Sequence, residues 1–443
     1  MIDPYIKQSA NMPIVSLRQK FAGLFTGKLA KASGLMFIAT VGGGVLGYVF
    51  QILMGRMLGV ADYGLFIAMV ALLAIVSVPI STVAMLVSRR ASEYRAKHQP
   101  EKMAAMFWWV NRRVLWGALI MALLVLPFST YLKDYVHLES LAHILTLLLV
   151  AVAMLFLPLN VAYLQAQQNF LWIAFANVGI HAFKILFCVA LVLAGYKLLG
   201  ALMGVLFASI ALWVLTYFPL RPAVEIAIED RHPETYFSLI SALPVLVANL
   251  AFAVMTQLDL LLVNHYFDSQ HAGVYAAAAI LGKAVMYLPG AIIIAMFPMV
   301  AENESHSRSS AHLFINAIVL TVGFSGLGAL IYFLFAEEII SLLYGQKYEG
   351  AAELLKYYGF AMLPMSIIMV AEHFLIAKGR VIFGYVMMLG IPFVLYGAQS
   401  YHEHLVDMVY ILAAGGSGLA LIGFGVIGAQ NWGGWKHNKV SQR

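Results

Sequence analysis

The sequence predicts an all-α protein that crosses a membrane about twelve times, with its helices in two pseudo-symmetric bundles of six. Three observations carry that reading: the scarcity of charge, the length of the apolar blocks, and a short motif that recurs in the second half. Of 443 residues, 62% are hydrophobic and only 11% charged. A soluble domain carries about 25% charged residues, and a soluble fold of this composition would have almost no polar surface to show water. The apolar residues fall into blocks of roughly 18 to 28 separated by short polar segments, and ~20 such residues let a helix cross ~30 Å of hydrocarbon. Barrel strands are shorter, and lipid offers no partner to an unpaired amide, so helices are the expected element.

Spans are expected near 33–54, 63–88, 107–128, 141–164, 170–194 and 198–220, then near 236–265, 274–299, 313–335, 351–376, 381–398 and 407–429. The chain therefore divides into a basic segment (1–32), a first bundle (33–220), a linker (221–235), a second bundle (236–429) and a tail (430–443). The linker, RPAVEIAIEDRHPET, is the longest polar stretch in the middle of the chain. Near the start, Ile14, Leu17, Phe21, Leu24 and Phe25 fall at helical spacing among basic residues. That pattern fits a helix lying on the membrane surface or a partly ordered basic tail. The halves resemble each other: LGVADYGLF (58–66) aligns with FDSQHAGVY (267–275), and each leads into an apolar helix with a proline, Pro79 after Gly64 and Pro289 after Gly273. A glycine–aromatic step suits a tight turn between two helices.

Lys and Arg set orientation. With the N-terminus in the cytoplasm, eighteen fall on that side, and only Arg56, Lys133, Lys197 and Lys347 on the other. Such a bias places both termini in the cytoplasm. The net charge of +6 does not indicate nucleic acid, because the basic residues flank apolar spans instead of forming an aromatic-interleaved patch. The single cysteine, Cys188, lies inside an apolar run and has no partner for a disulfide within the chain. The first 30 residues lack an A-x-A-like site, so no cleaved signal peptide is expected.

Glycine-rich GGGVLG (42–47) and GGSGLALIGFG (415–425) follow no strand and lack a phosphate-loop lysine, so close helix packing explains them better. HEH (402–404) offers two imidazoles without an evident third metal ligand. No hydrolase or paired-cysteine motif appears, and neither enzyme activity nor a cofactor is expected.

The string GRMLGVADYGLF (55–66), with AGVYAAAAILGKAVMYLPGAI (272–292) and MFPMVAE (296–302), resembles the polysaccharide transporter, or oligosaccharide flippase, family. That family belongs to the multidrug/oligosaccharidyl-lipid/polysaccharide exporter superfamily. The resemblance covers about residues 30–430 and implies two six-helix bundles in a V, alternating between inward-open and outward-open states. It implies a polyprenyl-diphosphate-linked glycan as substrate, moved from the cytoplasmic to the periplasmic leaflet of a bacterial inner membrane. The implied partners are membrane lipid and the polysaccharide polymerase and glycosyltransferases of the same pathway. The related lipid II flippase type usually has fourteen spans and several cavity arginines. Here twelve spans and no deep arginine are expected, which speaks against a peptidoglycan role.

A charge at mid-bilayer costs roughly 2.5–3.5 kcal/mol on insertion scales, so each needs a partner or a wet cavity. Asn177, His181 and Lys184 share one face of the fifth span. They are expected to line a cavity that meets substrate phosphates, the alternative being a structural lysine paired elsewhere. Asp259, on a face with Asn249 and Thr256, reads either as a coupling site for H⁺ or Na⁺ or as the balance to Lys283 or Lys184. Lys283 stacks with Tyr287 at i+4 and is cavity-lining or Asp259's partner. Glu372, beside His373 near the inner end of the tenth span, is a coupling site or an interfacial carboxylate already in water. Arg112 and Arg113 open the third span, and Arg89 and Arg90 close the second. Arginine matches diphosphate oxygens bidentately, but it also anchors helices to lipid phosphates. The competing readings are an exporter of small cations coupled to H⁺ or Na⁺ and a membrane polymerase or glycosyltransferase. The first calls for an acidic cavity, whereas Lys184, Lys283 and His181 make this one basic. The second calls for a large outer loop, and the longest expected here is about fifteen residues, around 336–350.

Overall fold

The computed structural model describes residues 28–135, 140–225, 236, 242–305, 309–380 and 382–440. Its helices are α1 (Lys28–Leu58), α2 (Val60–Ala96), α3 (Pro100–Tyr131), α4 (Leu141–Ala166), α5 (Phe170–Leu191) and α6 (Lys197–Tyr217). The second half adds α7 (Leu243–Tyr266), α8 (Ser269–Glu304), α9 (Ala311–Leu343), α10 (Gly350–Ala377), α11 (Ile382–Ser400) and α12 (Leu405–Val440). No strand occurs among the described residues. The protein is an all-α, multi-pass membrane protein. The surface helix expected over 14–31 lies outside the described residues except for its end, which begins α1.

Eleven helical stretches are long and apolar enough to cross a membrane, and one of them, Phe170–Tyr217, has 48 residues. At 1.5 Å per residue it would reach ~70 Å, more than twice the hydrocarbon thickness. It turns back instead. Gly195 (φ 93) and Lys197 (φ 44) take left-handed backbone at the corner. Across the resulting hairpin, Cys188 Sγ donates to Ala201 O at 3.3 Å, and a Cβ on Gly204 would overlap Cys188. The crossings therefore number twelve among the described residues.

The repeated prolines act alike. α2 breaks at Ser77, two residues before Pro79, and α8 breaks between Tyr287 and Gly290, around Pro289. Proline has no amide to donate and crowds the carbonyl four residues back.

Several boundaries differ from expectation, and α12 runs on to Val440, into the segment expected as a tail. α2 runs on to Ala96 and α3 begins at Pro100, because Val87, Ala91 and Tyr94 pack against Met103, Met106 and Phe107. Charged positions thus belong to amphipathic helix ends, with Arg89 and Arg90 inside α2 and Arg112 and Arg113 ~18 Å along α3. The outer loop near 336–350 is also shorter. α9 continues through Glu337 and Glu338 to Leu343, leaving only residues 344–349 with one 3-10 turn. Glu337 is held there by Lys356 Nζ at 2.8 Å.

The first half packs α1 on α5, α5 on α6, α6 on α4, and the later part of α2 on α4. The second half packs α10 against α8, α9 and α12, and α7 against α11. The halves meet where the early part of α2 crosses α7 and α8. Gly64 and Gly273, aligned in the sequence repeat, face each other at that crossing. A Cβ on Gly64 would overlap the Gly273 backbone, and one on Gly273 would overlap the Val60 carbonyl. Two repeats related by a two-fold axis would make such a contact, each residue meeting its own counterpart.

Further bonds gather at the same end. Arg56 donates to the carbonyls of Leu343 (Nε, 2.7 Å) and Leu342, capping the C-terminus of α9. The hydroxyls of Tyr63 and Tyr344 share a hydrogen bond of 3.1 Å, and Tyr348 Oη donates to Gly55 O at 2.7 Å. Nearby, Asp268 caps α8 through the His271 amide (2.9 Å) and ring (2.7 Å), which hold its carboxyl below the ordinary carboxylate range. This is the turn end of the molecule. At the opposite, linker end, the apolar cluster around Val87, Phe107 and Tyr163 contains no residue beyond Tyr236.

Gly273→Ala should therefore wedge α2 from α8 and cost ~2 kcal/mol, as overpacking does. Thermal unfolding in detergent should show a midpoint several degrees lower; an unchanged midpoint would mean the crossing tolerates a side chain.

Candidate functional site

Sequence reasoning named three groups of charges, and the structure gives them three different surroundings. The first lies between α1 and α5. A Cβ on Gly43 would press on the Asn177 carbonyl, and one on Gly47 on the His181 ring, so these helices approach almost backbone to backbone. The helices run the same way along the chain, and that register, extended one turn, sets Lys184 level with Phe50 and Gln51. Three polar groups there lack protein partners. Gln51 Oε1 and His181 Nδ1 are buried without a hydrogen bond, and half-buried Lys184 has neither hydrogen bond nor ion pair among the described residues. Unmade bonds of this kind each cost about 1–3 kcal/mol, more for a charge, and a ligand offering acceptors would recover that.

The second group is closed. Asp259 and Lys283 form an ion pair of 3.1 Å, with side chains 1% and 5% exposed. Tyr275 Oη donates to Asp259 at 3.2 Å, and Tyr358 Oη donates to the same carboxylate. This arrangement ties α7, α8 and α10 together. Lys283 thus lines no open cavity; its ammonium is taken by the carboxylate, while Tyr287, expected to stack with it, is 50% exposed. Glu372 is also unlike the water-wetted interfacial carboxylate considered above. It is only 3% exposed, and Oε1 has no hydrogen-bond partner. α10 is buried on most of its surface, being packed by α8, α9 and α12, which is why nearness to the helix end does not bring water.

The third group stands at the linker end. Arg89 and Arg90 both pair with Glu93, at 3.5 and 2.7 Å, and Arg90 also covers the Tyr94 ring. Beside Arg89 a cavity of about 490 Å³ is lined by Ser81, Ser88, Ser92 and Gln165. Those serines recur at i, i+7 and i+11 on one face of α2, a spacing visible in the sequence and not singled out there. Arg113 sits over the Trp109 ring at 4.0 Å. Arg112, its neighbour, is exposed and unpaired among the described residues. A seam of tyrosines also went unnoticed: Tyr48 of α1 lies within electrostatic reach of Tyr287, Tyr332 and Tyr344 in the second half.

Residues 53–353 match the family model described as polysaccharide biosynthesis protein. The chain belongs to that family. No curated protein matches this polysaccharide biosynthesis protein by sequence. Its fold is that of transporters in the MOP superfamily. An inward-facing multidrug resistance MATE transporter superimposes with TM-score 0.76 at 14% identity, covering 88% of this chain and 95% of that one. The lipid II flippase MurJ, in an inward closed conformation, gives TM-score 0.67 at 14% identity, with 89% and 87% covered. A MOP superfamily transporter from Pyrococcus furiosus, described as having a binding pocket of reversed polarity, gives 0.65 at 14% identity, with 90% and 95% covered. At such identities the likeness is one of fold. That fold is one shared by transporters and a flippase.

Lys283→Ala should leave a buried, uncompensated carboxylate and cost roughly 3–5 kcal/mol. Yield and thermal stability should fall sharply and largely return in the double variant Lys283→Leu with Asp259→Leu. A stable single variant would show that the pair does not hold the second half together.

Proposed function

We propose that this protein is a flippase that carries an oligosaccharide linked to a polyprenyl diphosphate from the cytoplasmic to the periplasmic leaflet. It would serve the making of a surface or exopolysaccharide in a bacterial inner membrane. The observation that carries the proposal is Lys184, inside the first half with no counter-ion among the described residues, level with unsatisfied Gln51 and near unsatisfied His181. An anionic diphosphate supplies what these groups lack. The serine-lined cavity beside Arg89 offers hydroxyls to sugar, and the tyrosine seam offers ring faces to the apolar side of a pyranose.

Orientation follows from the basic residues: Arg89, Arg90, Arg95, Lys97, Arg221, Lys378 and Arg380 stand at the linker end, which is therefore taken as cytoplasmic, with both termini. The halves, 33–220 and 236–429, would rock about the Gly64–Gly273 crossing, and bonds at the turn end would hold the state open toward the cytoplasm.

The rival reading, a coupled exporter of small cations, draws on the same fold and on Glu372, a buried carboxylate with an unsatisfied oxygen. Asp259 is less suited to coupling, since Lys283 and two tyrosines already occupy it. In the flippase reading Glu372 is the better site for a coupling proton.

Lys184→Ala, and Lys184→Glu more so, should abolish glycan export while the protein remains inserted. Surface polysaccharide measured in a complemented deletion strain, with membrane levels of the protein as control, decides this. Normal polysaccharide would remove the role given to Lys184.

A further inference from the structure

A groove of about 820 Å³ lies on the first half, between α3, α4 and α6, and no residue of the second half lines it. Three helices frame it. On α3, Met103, Met106, Phe107 and Val110 are buried, as is Ala118 further along, while Leu115, Trp116, Leu119 and Ile120 are exposed. Trp108 Nε1 donates to Val224 O at 3.0 Å, tying the linker end of α3 to the turn that follows α6. Between the three helices runs a furrow walled by Leu115, Leu149, Leu206 and Trp213. The furrow starts near the linker end and continues toward mid-membrane.

Arg112 stands in this wall. Arg113 has an aromatic ring to cover it, whereas Arg112 has no partner among the described residues. The neighbouring amide is already used, Asn111 Nδ2 donating to Phe107 O at 2.8 Å. An exposed guanidinium set in the wall of an apolar furrow has the complementarity of a long hydrocarbon chain that ends in phosphate. We infer that this groove binds the polyprenyl chain of the carrier lipid, with its phosphate on Arg112, while the sugar faces the path between the halves. The inference rests on the flippase reading and adds a site to it. A polyprenyl chain is the occupant argued for because the furrow is a single channel with rigid aromatic rings, Phe107, Trp108, Phe156, Trp213 and Tyr217, along its sides. Such walls suit one branched, unsaturated chain better than the paired acyl chains of a phospholipid.

The test measures binding of undecaprenyl phosphate and, separately, phosphatidylglycerol to the purified full-length protein by native mass spectrometry. The wild-type protein should bind one undecaprenyl phosphate in preference to phosphatidylglycerol. Leu206→Trp, which fills the furrow, should remove that binding, and Arg112→Gln should weaken it about tenfold or more, with Arg112→Lys restoring part of it. Leu149→Trp serves as a second blocking variant should Leu206→Trp fail to fold. Equal binding of both lipids, lost together in these variants, would make the furrow an ordinary lipid site and overturn the inference. So would undecaprenyl phosphate binding that survives both blocking variants. Lys184→Ala separates the two readings: it should keep the bound lipid and lose export. Export retained in Lys184→Ala would count against the flippase site whatever the furrow binds, and export lost alongside unchanged groove binding in the blocked variants would count against the furrow alone.

Discussion

The contact on which this architecture turns is the meeting of Gly64 and Gly273, where two helices approach with no side chain between them. Only that closeness lets Arg56 of one half reach the carbonyls at the end of α9, and Tyr63 reach Tyr344. Polar bonds across the halves gather around it, on the side of the short turns. The joint is weighted toward that end, although the later part of α2 also meets α7 and Tyr236 meets Tyr94 and Trp109. A joint so weighted lets the other end part more readily, and that is the mechanical requirement for exposing a site to one side of a membrane at a time. A larger residue at either glycine would wedge the crossing apart and cost stability.

Lipid as solvent explains why the charges inside the molecule mean different things. The pair of Asp259 and Lys283 is neutral as a unit, satisfied by two tyrosines, and binds three helices together. Lys184 and Glu372 have no hydrogen-bond or ion-pair partner among the described residues. A charge left uncompensated at mid-bilayer costs roughly 2.5–3.5 kcal/mol on insertion scales, which weighs heavily against a total stability of about 5–15 kcal/mol. On the proposed function, what offsets that cost is phosphate for the ammonium and a proton for the carboxylate.

Much of this was legible in the sequence. Block lengths gave twelve crossings, and the glycine–aromatic repeat marked the residues that touch where the halves cross, because both signals are local and repeat along the chain. Two glycines of GGGVLG, Gly43 and Gly47, are the ones against α5. The partner of Lys283 was legible only as one of two readings, since a buried pair joins residues on different helices and no spacing along one helix records it. Glu372 was likewise legible only as one of two readings: depth along a helix was readable, but whether other helices cover that depth was not. Helix ends were underestimated where amphipathic turns, such as those of α2 past Arg89, bury one face while their charges face outward. The furrow was invisible, because it lies between three helices and no spacing along one of them records it.

A substrate with an oily tail and a sugar head sets two problems that one cavity cannot solve. Withdrawing a chain of eleven isoprene units from lipid into a wet cleft would cost on the order of 40 kcal/mol, at ~0.8 kcal/mol per carbon. No set of sugar contacts offsets that. The head, conversely, cannot enter hydrocarbon without losing its water. A protein that moves such a molecule must therefore give the head a polar route and leave the tail where it is cheap to keep, in contact with apolar surface throughout. The two surfaces of α4 match this division: Pro158, Val161 and Gln165 face the serine-lined cavity, while Leu149, Val152 and Phe156 face the apolar furrow. On the flippase reading, head and tail would join at Arg112, the cation in the furrow's wall.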